Sequence, residues 1–559
     1  MYRDRRQLSR CGVSGMSLLQ TLLVYLFHQL AVVEGREKVS IAVVGSGIGG
    51  STASHFLRES LDEDFQTEIV VFDSASMVGG RTAHFVHEGN VLETGASVIY
   101  TGNAYLFNLT DRVHLKRVDV NEQEGHSTGL WDGEQFVLTT TSSSLANLAR
   151  MAWRYGMSLL TLRSMVYEAL ERFDRIYELQ ARGRVFETPE ELWSEVGLLD
   201  LARVTIAEHF EERVGRAGSL VETELAHAAN RVNYNQGNGL NALAGVVSLC
   251  PAVTGDVFSV EGGNSRLSEE LLNISASDVR LNTGVARVVG STKEGYSLFG
   301  GAGEKLGTFD AVVIATPISL SGITLDIRGE DGQPEASQPP LPVVKYQEVH
   351  TTLVRGVVDG AYFGLGSPGD EVPTSVLLTE TAAGLAFSSL ALKTWVGDPS
   401  DGVGVYKIFS RQELWTGMLD SLFVQGSWEI LHHRDWRAYP VLTPKKVFTP
   451  AKLFPGHPVW YVSSMEEGVS AMASRVPCFS MLHKRWRVCK VAQFCVNASM
   501  SEMMTRVYFS YRCKRILASR GETRGCDGSS QAFRFRVLVT ALVAMRRSPL
   551  ALAFPFRFS

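Results

Sequence analysis

Hydrophobic positions along the chain fall into distinct rhythms, and each predicts a different kind of element. Val39–Val44 and Glu68–Phe72 are short, mostly apolar runs rich in β-branched residues, with the length of strands buried on both faces. Between them lies a helical pattern that starts at Ile48 and ends in a polar turn. From Ser143 to Gln180 the pattern is helical again: Leu162, Val166, Ala169, Phe173 and Ile176 recur at steps of four and three and give one apolar face. Thr188-Pro189-Glu190-Glu191 reads as a capping box with proline at the first helical position. Helical patterning returns over Leu225–Leu249, interrupted at Asn233–Gly237. Strand signals follow at Val279–Asn282, at Val285–Val289, in a hairpin, and at Phe309–Ala315 before Pro317. Gly329–Pro342 reads as an exposed linker, Val343–Val357 and Ala361–Leu365 as strands of a second sheet, and Trp436–Phe454 carries further turn and strand signals. A strand that returns late to an early βαβ unit predicts an α/β fold: a split Rossmann-type dinucleotide-binding domain with an inserted helical and β-sheet domain.

The first rhythm carries the chemistry. Val39–Val44 runs into Gly45-Ser46-Gly47-Ile48-Gly49-Gly50, and the second strand is closed by Asp73. In such a unit the first glycine allows a tight turn, the second admits a pyrophosphate, and the third lets helix and strand pack closely. The helix N-terminus adds free N–H groups and partial positive charge, and the acid accepts from ribose hydroxyls. Further on, Gly79-Gly80-Arg81-Thr82 places a phosphate-matching guanidinium on a turn. Val91–Ser97 then leads a strand into small residues, Gly95 and Ala96 among them, that let backbone lie against a flat ring.

Composition narrows the setting. The 559 residues suffice for two or more domains, with an ordinary globular hydrophobic fraction of 45%. Arg3, Arg5, Arg6 and Arg10 followed by the apolar Leu18–Val33 read as a secretory signal peptide over residues 1–35, with an uncleaved anchor as the alternative. No later segment is long and apolar enough to span a bilayer, and the sequons at Asn108 and Asn273 are plausible glycan sites. Between residues 36 and 477 the only cysteine is Cys250, which excludes a disulfide framework for the main body. The histidines are scattered without metal-ligand spacing, and no Ser/His/Asp triad stands out. Residues 475–559 form a basic tail with 16 Lys/Arg against 3 Asp/Glu but no nucleic-acid motif.

Read in order, IAVVGSGIGGS, VGGRT, ETGAS, the Leu159–Gln180 helix, RVNYNQ, VEGGN, FDAVVIATP and the HTTLVRG/YFG stretches resemble the prenylcysteine oxidase family, within the amine-oxidase-like flavoproteins. The resemblance covers about residues 38–472. It implies a lysosomal FAD enzyme that uses O₂ and water to cleave S-farnesyl- or S-geranylgeranylcysteine into cysteine, a prenyl aldehyde and H₂O₂. By position it assigns Gly45, Ser46, Gly47, Ile48, Gly49, Gly50 and Asp73 to the ADP half of FAD and Gly80–Arg81 to the pyrophosphate. Gly95 and Ala96 fall beside the isoalloxazine, and Val285 beside the adenine. It names no catalytic base and no metal, and implies no nucleic-acid partner and no membrane span after signal removal.

The implied organisation is cofactor domain at 36–110, 245–320 and 441–474, helical substrate domain at 111–244, and substrate-domain sheet at 321–440. The apolar helical faces between Leu159 and Leu179 are the expected wall of a prenyl pocket. After Met472 the family pattern gives way to the Cys- and Arg-rich tail, so part of a flavin-facing helix is expected to be missing and FAD to be held weakly. Two other readings are an amine or polyamine oxidase, and a secreted prenyl-binding relative without turnover.

Overall fold

The computed structural model describes residues 38–470, apart from 63–64, 121–126, 216–218, 330, 335–340, 342 and 367–370; the signal-peptide and tail expectations lie outside the described residues. A five-stranded parallel sheet sits at the base of the cofactor half. Its strands run in the order Asp278–Arg280, Gln66–Phe72, Lys38–Val44, Ala311–Ile314 and Val459–Tyr461. Two of them come from residues 38–72 and three from separate later stretches between 278 and 461, so the sheet is assembled from a split domain as the pattern predicts. The strands are apolar on both faces because both faces are covered. One side takes helices Ile48–Leu61 and Ser265–Ile274, and Val39, Ile41, Val43, Leu57, Ile69, Val71 and Trp460 pack there. The other side takes a four-stranded sheet built on Val285–Ser291 and Gly295–Gly300, joined through Phe72, Val288, Tyr296 and Ile314.

The second half is a seven-stranded mixed sheet. Its order is Glu429–Pro440, Tyr346–Gly356, Gly404–Ser410, Phe387–Trp395, Ser375–Leu378, Thr128–Trp131 and Phe136–Thr139. Helices Ser158–Ala181, His227–Tyr234 and Ala242–Thr254 form a layer whose core includes Leu162, Val166, Ala169 and Ile176 from the predicted face.

Four local expectations change. The segment 111–244 is not purely helical, because Thr128–Trp131 and Phe136–Thr139 extend the sheet, the first pairing parallel with Ser375–Leu378. Phe309–Ala315 is two strands. Phe309 ends an antiparallel strand and Ala311 opens a parallel one, and Asp310 at the break accepts from the Ser40 N–H and hydroxyl at 2.7 and 2.9 Å. Gly360–Phe363 is a tight 3₁₀ turn capped by Asp359, with Gly364 in the left-handed region. At Thr188 only half of a capping box forms: Thr188 accepts from Glu191 N–H, while the Glu191 carboxylate accepts from Glu187 N–H. The reciprocal box is at Thr205 and Glu208.

Candidate active site

The glycine motif folds as its spacing requires. Gly45 has φ +109°, and its N–H donates to the Phe72 carbonyl at 2.7 Å, tying the turn to the second strand. A Cβ on Gly50 would lie 1.8 Å from the Gly45 carbonyl oxygen, so only glycine lets the helix start this close to the strand. Gly47 forms an isolated bridge with Gly79, bringing the Gly79–Gly80 turn over the helix start. Asp73 accepts from the Ser46 N–H and hydroxyl at 2.7 and 2.6 Å and from Ala75 N–H at 2.8 Å, which fixes its carboxylate beside the loop.

A cavity of about 770 Å³ opens from this loop. Gly45, Gly47, Ile48, Asp73, Gly80, Arg81, Gly95, Ala96 and Val285 all line it. Ser46, Gly49 and Gly50 do not: Ser46 is turned onto Asp73, and the two glycines are buried in the helix start. Those three shape the loop rather than face the space.

Arg81 is placed for an anion. Its Nη1 donates to the Ala438 carbonyl at 2.6 Å and to Glu466, while Nη2 is buried with no hydrogen-bond partner among the described residues. Burial is the largest influence on Arg81 and alone would lower its pKa, but Glu466, Tyr346 and Tyr461 together outweigh it and the net shift is upward, so the guanidinium stays charged. Burial pushes the Glu466 carboxyl up against the opposing pull of Arg81. Arg434 approaches from the far sheet: its Nη2 donates to the Gly80 carbonyl at 3.2 Å, and its Nη1 is buried without a partner among the described residues. The unspent Arg81 nitrogen in the cavity fits the pyrophosphate of a dinucleotide, while Arg434, outside the cavity lining, holds the Gly80 carbonyl. Arg434 was not legible in sequence, since a single arginine in a strand 354 residues from Gly80 carries no local signal.

The cavity continues past Gly95–Ser97 between the helices and the seven-stranded sheet. On the helix side it is lined by Leu170, Phe173 and Tyr177 from the stretch expected as its wall, with Asp174 among them, and by Leu106 and Val247 from other helices. Cys250 also lines it, with burial pushing its thiol up to about 12, so it is no nucleophile. On the sheet side stand Trp436, Phe409, Lys393 and Lys407. The Lys407 ammonium donates to the Ser97 hydroxyl at 2.5 Å and the Glu93 carbonyl at 3.1 Å. Burial, and then Lys393, lower its pKa to about 7, against a weaker upward pull from Glu93. Glu93 is raised by burial to about 7, although the Asn264 N–H donates to its carboxylate at 2.6 Å. Among the described residues no group of His, Cys, Asp and Glu could hold a metal ion, and no helix is long and apolar enough to cross a membrane.

The family model described as prenylcysteine lyase matches residues 138–476, and one described as NAD(P)-binding Rossmann-like domain matches residues 43–113. The chain belongs to the prenylcysteine lyase family. Farnesylcysteine lyase of Arabidopsis thaliana is 31% identical over 79% of this chain and 86% of its own length. Prenylcysteine oxidase 1 of Homo sapiens is 28% identical over 77% of this chain and 85% of its own. Among solved structures, cyclohexylamine oxidase from Brevibacterium oxydans superposes with a TM-score of 0.50 at 14% identity, over 80% of this chain and 98% of that one. An oxidoreductase from Methanosarcina mazei superposes at 0.51 and 10% identity, over 79% and 99%. These structural likenesses bear on the fold of this family member, and they match the split α/β architecture described above.

Proposed function

We propose that this protein is an FAD-dependent oxidase of S-prenylcysteine, cleaving the thioether with O₂ and water to give cysteine, a prenyl aldehyde and H₂O₂. The observation that carries this reading is one continuous cavity, running from the glycine cradle and Asp73, past Gly95–Ala96, into an apolar arm of Leu106, Leu170, Phe173 and Val247. The residues fit a dinucleotide: the Gly45–Gly50 turn leaves room for backbone contact, and Arg81 holds an unspent donor. Gly45, Gly47, Ile48 and Asp73 hold the ADP end, Val285 the adenine, Gly80 and Arg81 the pyrophosphate, and Gly95 and Ala96 the ring. When bound, the flavin supplies the two-electron acceptor for oxidation of the carbon next to sulfur and passes the electrons to O₂. The chain's own part is to bind and orient. The apolar arm removes a prenyl chain from water, at about 0.8 kcal/mol per buried methylene, and fixes which carbon reaches the ring. Enclosure between sheet and helices limits water near the reacting carbon until it is needed.

A cationic amine would meet like charge at the two lysines of the sheet wall, with Asp174 on the helix side as its acidic contact near the apolar arm. The deciding experiment supplies FAD to the purified protein and follows peroxide with S-farnesylcysteine and with spermine. Peroxide from the thioether alone is expected. Peroxide from spermine alone would favour the amine reading, and prenyl-ligand binding without peroxide a protein that has lost turnover. The matching cellular setting is the secretory pathway, with delivery to the lysosome or secretion.

A further inference from the structure

The sheet wall of the cavity holds more positive charge than the cofactor reading uses. Lys407 lies on the Gly404–Ser410 strand and is only 5% exposed. Its two hydrogen-bond acceptors, the Ser97 hydroxyl and the Glu93 backbone carbonyl, are neutral, and one N–H is left over. Lys393 lies on the adjacent Phe387–Trp395 strand. It is the extra residue of a β-bulge between the Leu392–Tyr406 and Thr394–Val405 pairs. Bulges of this kind re-aim a side chain and recur next to active sites. Lys393 lines the same cavity and is half-buried. Neither lysine forms an ion pair with a described carboxylate. Ser375 and Ser389 line the wall around them, and Ala391, between Ser389 and Lys393 on the strand, pairs directly with both Lys407 and Ser375.

Two ammonium groups lining one pocket from adjacent strands, one of them on the buried Lys407, repel each other unless an anion joins them. Two acids line the rest of the cavity, Asp73 held by the Ser46 N–H and hydroxyl and Asp174 on the helix arm, and neither forms an ion pair with Lys393 or Lys407. We propose that Lys393 and Lys407 form a carboxylate subsite that takes the α-carboxylate of the substrate's cysteine. This rests on the prenylcysteine reading and gives the substrate a direction. The amino-acid head lies on the sheet, the prenyl chain runs along Leu170, Phe173 and Val247, and the thioether between them lies at the level of Gly95–Ser97. A substrate whose carboxyl is esterified loses the anion and leaves both ammonium groups uncompensated.

The test uses the full chain with FAD and compares S-farnesyl-L-cysteine with its methyl ester, by peroxide release and by equilibrium quenching of tryptophan fluorescence, Trp436 being in the cavity wall. The wild type should prefer the free acid by about 10- to 100-fold, the range of one charged hydrogen-bond contact. That ratio should collapse toward unity in Lys393→Met, mainly through KM, and be restored by Lys393→Arg. Lys407→Met should act in the same direction, and Lys393→Met decides alone if that variant fails to fold. Equal losses on acid and ester, no preference in the wild type, or loss of bound flavin absorbance in Lys393→Met would overturn the subsite. If the wild type releases no peroxide from either compound, the oxidase reading fails, and the fluorescence titration of acid against ester still decides the subsite.

Discussion

Arg81 shows how much a single residue here depends on partners far along the chain. Its position after two glycines made it a phosphate contact by sequence, yet its orientation comes from the Ala438 carbonyl and from Glu466, which is itself buried and accepts from the Ser470 hydroxyl at 3.3 Å. Removing one partner of a buried charge pair leaves the other uncompensated. Arg81→Met is therefore expected to lose bound flavin on gel filtration under conditions where the wild type retains more, and Glu466→Gln to weaken retention less, since it can still accept from Arg81. Flavin absorbance per chain measures both.

Lys407 makes a prediction in pH. Its folded pKa is held near 7, below the usual 10.5, so between those values the unfolded chain keeps a proton that the folded chain lacks, and this group's contribution to stability falls as pH drops from about 10.5 toward 7. Glu93 has the opposite sign: raised to about 7 from 4.5, it contributes stability below pH 4.5 that is lost as pH rises through 7. With Lys393 as the other charged neighbour, both groups weaken the fold near neutrality. Lys407→Met should raise the melting temperature at pH 7 by about 2 °C or more. The gain should shrink by pH 10, where the wild-type lysine is neutral in the fold, and thermal scans across pH would show it.

At the scale of elements, the first strand–turn–helix and the long helix Ser158–Ala181 were legible, for a shared reason. Each is specified by short-range pattern: an unbroken β-branched run into spaced glycines, or an apolar face at steps of three and four. Gly50→Ala would set a Cβ against the Gly45 carbonyl oxygen and is expected to cost at least about 3 kcal/mol, or to abolish folding, as read by denaturant unfolding. Phe173 sits on the predicted face but lines the cavity instead of joining the fully buried set, so Phe173→Asp should leave circular dichroism unchanged. It should raise KM for S-farnesylcysteine by about 10-fold or more, the value of one buried aromatic contact. The Phe309–Ala315 run was misread as one strand because both of its halves are apolar. Only the change of sheet at Asp310, and that residue's bonds to Ser40, divide it.

For the molecule as a whole, the sequence by itself determined the βαβ anchor, the split α/β class and the residues Gly45, Gly47, Asp73, Arg81, Gly95, Ala96 and Val285, which the fold brings to one cavity. It could do so because local backbone geometry and buried-strand pattern are written in neighbouring residues. What only the tertiary structure decided is what stands beside the Gly80 turn and in the rest of the cavity. Arg434 reaches Gly80 across 354 residues, and Lys407 reaches Glu93 across 314 and Ser97 across 310. Lys393 owes its placement to a register shift between two strands. Charges on strands leave no period of their own, and whether they meet water, a carboxylate or one another is set by which strands pair. The glycine turn is local in the chain, and the rest of the cavity is assembled from its most distant parts.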